Sequence, residues 1–179
     1  MSSSSTGLGG ASVQMRGHVE MGLLSFALLS LAPDALAHPL CRSPEQVVFA
    51  CQNKQGKHIA VCDGDSGVRY RFGVPGKVEL DVRHPGASHP RAFRHYHYAR
   101  AGVARTSLTI ETEGALYEVF SEYERPKPPL AGVRVTLKHS DLQMTQFCAG
   151  KVDAHLQLLD GKVACSDRAL NACMEPANR

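Results

Sequence analysis

The chain has 179 residues, 20 Lys and Arg against 17 Asp and Glu, a formal net charge of +3, and no tryptophan. With 43% hydrophobic and 21% charged residues it is not the composition of a disordered chain, and its length suits one domain. The weak positive balance permits attraction to anionic surfaces but does not call for nucleic acid.

Residues 1–37 read as a cleavable signal peptide. The apolar run from Gly22 to Ala32 is followed by the breaker Pro33-Asp34 and then by Ala35-Leu36-Ala37, an A-x-A site that puts the predicted cut before His38. The run is shorter than the roughly 20 residues of a membrane helix. Arg16 is the only basic side chain ahead of it, and Met15 and Met21 are both candidate starts. Cys41 follows His38-Pro39-Leu40, which lacks the small residues of a lipobox. The mature chain is expected to run from residue 38 to 179 as one monomeric β domain, periplasmic or secreted, with no membrane span. The leader carries one basic and two acidic residues, so cleavage raises the net charge by one.

All six cysteines follow the predicted cut: Cys41, Cys51, Cys62, Cys148, Cys165 and Cys173. An even count without a C-x2-C pair fits disulfides in an oxidising compartment better than zinc. Cys51–Cys62 is the expected pair, because the turn between them should bring them together; the other pairings stay open.

Strand signals dominate the mature part. Val47–Gln52 and His58–Cys62 flank a turn at Asn53-Lys54-Gln55-Gly56. Val68-Arg69-Tyr70-Arg71-Phe72 and Val78-Glu79-Leu80-Asp81-Val82 alternate apolar and polar residues around Gly73-Val74-Pro75-Gly76. His84–Ala92 holds two prolines and a glycine and reads as a loop. Ser107–Thr112 and Leu116–Phe120 form a hairpin about Glu113-Gly114. Arg125-Pro126-Lys127-Pro128-Pro129 is a connector, and Val133–Leu137 alternates again. Val152–Leu159 fits a strand or a short helix, and Ser166–Met174 a short helix capped by Ser166. The sum is an all-β, disulfide-stapled, small antiparallel sandwich or barrel of about 7–9 strands with a short C-terminal helix.

No catalytic motif survives. Gly64-Asp65-Ser66-Gly67 spells a protease nucleophile segment, but a serine nucleophile needs a base histidine and an acid, which in that family precede it by more chain than exists here. Asp63–Gly67 is no EF-hand, since position 12 is Val74 rather than a carboxylate. The most unusual local composition is His84, His89, His95 and His97 among Arg83, Arg91, Arg94, Arg100 and Arg105. His95 and His97 share a strand face and could hold a metal, but the cationic surroundings oppose one, so neither metal nor cofactor is expected. The alternatives are an envelope anion- or glycan-binding domain with a patch of Arg83, Arg94, His95, His97 and Arg100, since arginine matches phosphate and carboxylate geometry, or a structural envelope protein.

Ser66-Gly67-Val68-Arg69-Tyr70 fits S-G-x-x-Y and resembles the signature loop of bacterial periplasmic and membrane-bound lysozyme inhibitors, small exported β proteins with a disulfide. The resemblance implies a non-catalytic protein whose partner is a lysozyme-like peptidoglycan hydrolase. Ser66, Gly67 and Tyr70 would meet its cleft, with Lys77 the nearest candidate for an accompanying lysine. A second pattern covers more of the chain: Phe49-Ala50-Cys51, Gly56-Lys57, Val61-Cys62, Tyr70-Arg71-Phe72-Gly73 and Glu79-Leu80. It is similar to a recurring family of exported bacterial proteins of unassigned activity, and implies export, a β fold and the Cys51–Cys62 bond.

Overall fold

A computed structural model describes residues 38–140, 142–167 and 173–176. The predicted signal peptide and the middle of the predicted helix at Ser166–Met174 lie outside the described residues.

Among the described residues ten strands follow in chain order: β1 Gln46–Asn53, β2 His58–Gly64, β3 Gly67–Val74, β4 Lys77–Arg83, β5 Phe93–Arg100, β6 Val103–Glu111, β7 Ala115–Glu124, β8 Leu130–Leu137, β9 Gln143–Ala154 and β10 Ala164–Cys165. They make one sheet in the order β10-β5-β6-β7-β8-β9-β1-β2-β3-β4. Every pairing is antiparallel except β10 with β5. Two meanders, β1 to β4 and β5 to β8, are thus joined through β9. The first part of β9 pairs with β8, from Gln143 to Phe147, and the second part pairs with β1, from Cys148 to Ala154. Within the part paired with β1, Gly150 and Lys151 are left unpaired in a bulge between Ala149 and Val152, and Gly150 takes φ +77°. Such a bulge bends a strand and sharpens its twist.

The expected sandwich or barrel of about 7–9 strands is therefore corrected to a single ten-stranded sheet curled into a half-barrel. β4 and β10 remain as edges, so the barrel does not close. β10 is two residues long, too short to show a period. Val152–Leu159 is divided: its start completes β9, and Leu156–Leu159 is a 3-10 turn.

The core lies on the concave side. Phe49, Ile59, Val61, Phe93, Leu108, Ile110, Val119 and Val133 are fully buried or nearly so. Tyr70 of β3 meets Tyr117 of β7 across it, with ring centroids 5.7 Å apart. The 3-10 turn packs on both β1 and β6 and buries Leu156 and Leu159. β1 and β2 read as nearly continuous apolar runs because both faces are covered. Ile59 and Val61 join the main core, while Ala60 and Cys62 pack with Leu40 and Cys41 on the other face.

That arrangement corrects the Cys51–Cys62 pairing. The turn at residues 53–57 sets Cys51 opposite Ile59 and Cys62 opposite Val47. Directly opposed residues share a face, so Cys51 belongs with Ile59 on one side and Cys62 with Ala60 on the other. The bonds formed are Cys41–Cys62, Cys51–Cys148 and Cys165–Cys173. Three disulfides fit an oxidising compartment, and among the described residues no helix is long and apolar enough to cross a membrane.

Candidate functional site

The S-G-x-x-Y segment starts at the tip of the β2–β3 hairpin. Gly64 pairs with Gly67, which leaves Asp65 and Ser66 exposed as the turn. Gly67 has φ +92° with open space where a side chain would stand. The base is held from three directions. Cys62 is bonded to Cys41, Asp63 pairs with Lys162, and Arg71 is clamped by Glu45 and Asp81. Arg71 is a departure from the alternation that would put it in water. It is 1% exposed, and its guanidinium donates to Glu45 Oε1 at 2.8 Å, Asp81 Oδ2 at 3.2 Å and the Leu40 carbonyl at 2.9 Å. The segment preceding β1 covers that face.

Ser66 and Gly67 stay together at the tip, but Tyr70 and Lys77 do not join them. Tyr70 is 1% exposed, and burial, followed by the nearby Tyr117, pushes its phenol pKa up. Its ring belongs to the core. Lys77 opens β4 at the far end of β3, about 23 Å from the Ser66 turn at the usual rise per strand residue. Of the four residues expected to act together, only Ser66 and Gly67 share the tip, because Tyr70 is packed in the core and Lys77 lies at the other end of the strand.

The expected arginine–histidine patch is likewise divided by strand alternation. His95 and His97 face inward, where Asp160 bridges them: His95 Nδ1 lies 3.1 Å from Oδ1 and His97 Nδ1 3.0 Å from Oδ2. Burial lowers the His95 pKa, with Asp160 partly opposing. Cys173 Sγ lies 3.8 Å from His95 Nδ1 but is bonded to Cys165, so it is no thiolate ligand. Arg94 is on the opposite face, 3.8 Å from Glu111. Arg100 is six residues further along and Arg83 is on β4. Glu124 pairs with Arg105 and Asp167 with Arg91. The arginines are partly neutralised and do not converge on one anion.

A site that sequence reasoning missed lies between the segment preceding β1, the start of β2 and the second half of β9. A cleft of about 460 Å³ opens there, lined by His38, Gln52, His58, Lys151 and Asp153 among others, with Cys51 of the Cys51–Cys148 bond in its wall. His38 sits in a turn closed by the Cys41 amide donating to its carbonyl at 3.0 Å, and Cys41 ties that turn to β2. His38 Nε2 lies 3.3 Å from His58 Nδ1, with the rings edge to face at 72°. Burial first, and the neighbouring His58 second, bring the His38 pKa down to about 4, with Asp153 pulling the other way. His155 Nε2 lies 2.7 Å from Asp153 Oδ1. The two histidines are twenty residues apart and only tertiary packing unites them; no spacing rule would have found them.

Fold and site define the chain at the level of class: a disulfide-bonded, all-β protein built on one curled sheet. Comparison with known protein families, with curated proteins and with solved structures finds no match.

Proposed function

We propose that this is an exported, non-catalytic binding protein, cleaved before His38 and acting in the periplasm or outside the cell, which engages a protein partner through the β2–β3 hairpin tip. The observation that carries the reading is an exposed Ser66 on a turn whose base is fixed by a disulfide and two ion-paired clusters. A loop held in its bound shape loses little entropy on docking. A serine hydroxyl can donate to a carboxylate, and Gly67 leaves room for close approach. The partner favoured by the motif is a lysozyme-like peptidoglycan hydrolase, whose cleft carries catalytic acids.

The test is residual activity of c-, g- and i-type lysozymes with the exported protein at two salt concentrations. Inhibition of one type near equimolar ratio is expected, little changed by salt, and weakened at least tenfold by Ser66→Ala. Inhibition of none, or equal inhibition by the variant, removes the hairpin as the contact. Inhibition that collapses as salt rises points to exposed charges instead.

A further inference from the structure

We propose that Cys165–Cys173 is a redox switch over a zinc site: once a dithiol has opened the bond, the thiolates of Cys165 and Cys173, His95 Nδ1 and the Asp160 carboxylate hold Zn(II). The ligand atoms of His95, Asp160 and Cys173 already lie within 4.8 Å of one another. Asp160 Oδ1 is 3.1 Å and Cys173 Sγ 3.8 Å from His95 Nδ1. A tetrahedral zinc, with bonds of about 2.0–2.1 Å to nitrogen and oxygen and about 2.3 Å to sulfur, sets nitrogen and oxygen about 3.3–3.4 Å apart and nitrogen and sulfur about 3.6 Å apart. Both contacts are within a few tenths of an ångström of those edges. Cys165 supplies the fourth ligand. It pairs with His95 across β10 and β5, so the two side chains stand on one face of the sheet. His97 Nδ1, 3.0 Å from Asp160 Oδ2, is the kind of outer partner that aims a ligating carboxylate.

The same bond is the one best placed to open. Cys41, Cys51 and Cys62 are buried, so each of the other two disulfides has at least one cysteine shut away from an attacking thiolate. Cys165 and Cys173 are both half-buried, and exposed disulfides are the ones that exchange readily. They are 8 residues apart, so opening their bond releases the least chain. Cys165 also lies in β10, a strand of two residues at the edge of the sheet. The dithiol gives two electrons and two protons and leaves as a cyclic disulfide, while the protein gains two thiols. Zinc then displaces both thiol protons to solvent, and His95 keeps its one ring proton on Nε2. While the bond is closed Cys173 carries no thiolate, and the ligand set is incomplete.

The inference does not depend on the hairpin reading. Protein expressed from the full chain, without a histidine tag and with its disulfides formed, is treated anaerobically with limiting dithiothreitol and cleared of it by gel filtration. It is then titrated with Zn(II) against a chromophoric chelator. Alkylation followed by peptide mass mapping shows which bond has opened. Cys165 and Cys173 are expected to alkylate first. The opened protein should take up one zinc per chain, and the untouched protein should bind at least a hundredfold more weakly. Zinc should slow alkylation of the two thiols at least tenfold. The imidazole signal of His95 should move on zinc addition while those of His38 and His58 stay. Neither of these two measurements needs a variant to fold. Asp160→Asn weakens uptake at least tenfold, and His139→Ala, on an exposed turn elsewhere, leaves it unchanged. Another bond opening first, no zinc equivalent once Cys165 and Cys173 are free, or equal uptake by the untouched protein overturns the assignment.

Discussion

At the residue scale, the most consequential departure from simple patterning is charge placed where alternation would put it in water or leave it unpaired. Arg71 and Glu45 form a pair of which the arginine is wholly buried. The hydrogen bond from Arg71 holds the Glu45 carboxyl below its ordinary range, against burial. A carboxylate with a depressed folded pKa adds stability that is complete above its unfolded pKa and lost as pH falls through the folded one. His95 acts with the same sign in a higher window. Its folded pKa lies below 6.5 because burial disfavours the imidazolium. It therefore costs nothing above pH 6.5 and destabilises progressively as pH falls below that value. Urea midpoints from pH 8 to pH 3 should decline in two stages. His95→Gln should make the upper stage shallower, with buried His38 and His84 supplying the rest of it in the same sense, and Glu45→Gln should lessen the lower. A His95→Gln profile that still falls between pH 6.5 and 5 as steeply as that of the unmodified protein would show that His95 is not among the titrating groups.

At the scale of the element, turns set register and register sets chemistry. Gly73 ends the Y-R-F-G run with φ +143°, and a Cβ there would stand 2.5 Å from the Lys77 carbonyl oxygen and 2.8 Å from the Glu79 amide nitrogen, both backbone atoms that cannot swing away. Gly73→Ala is expected to cost about 1–3 kcal/mol from the backbone conformation alone, with the steric clash added, and thermal melting reads it directly. An unchanged melting temperature would mean that the β3–β4 bulge has no need of a glycine. The same register logic explains why strand positions were legible while their partnerships were not. Val68, Tyr70 and Val82 announced strands by alternation. Whether Arg71 faced water depended on what lay over it, and that was the segment preceding β1. S-G-x-x-Y sets Ser66 and Tyr70 together only along the chain; the pleat sends Tyr70 into the core while Ser66 stays in the turn.

At the scale of the whole molecule, the disulfides tie regions that the meanders alone would leave independent. Cys51–Cys148 closes a separation of 97 residues and ties the first meander to β9 beside its bulge, whereas Cys165–Cys173 closes 8. If loop entropy governs their effect, removing the first pair should cost about 4–5 kcal/mol and the second about 2–3 kcal/mol. Serine double variants compared by urea unfolding give the ranking. An equal loss from both would show that the length of the closed loop does not set how much each bond stabilises.

The all-β character, the β1–β2, β3–β4 and β6–β7 hairpins and the even set of cysteines that suits disulfides are legible along the chain, because period-two patterning, turn residues and cysteine count are local properties. The Ser66 turn is marked there too, since Asp, Ser and Gly in a row carry their own geometry. Tertiary structure alone decided which cysteines meet, which arginine is buried, that β9 joins two meanders into one open sheet, and that His38 faces His58 in a cleft. Each of these depends on contacts between residues far apart in the chain, where a change of one position in register moves a side chain to the opposite face of the sheet.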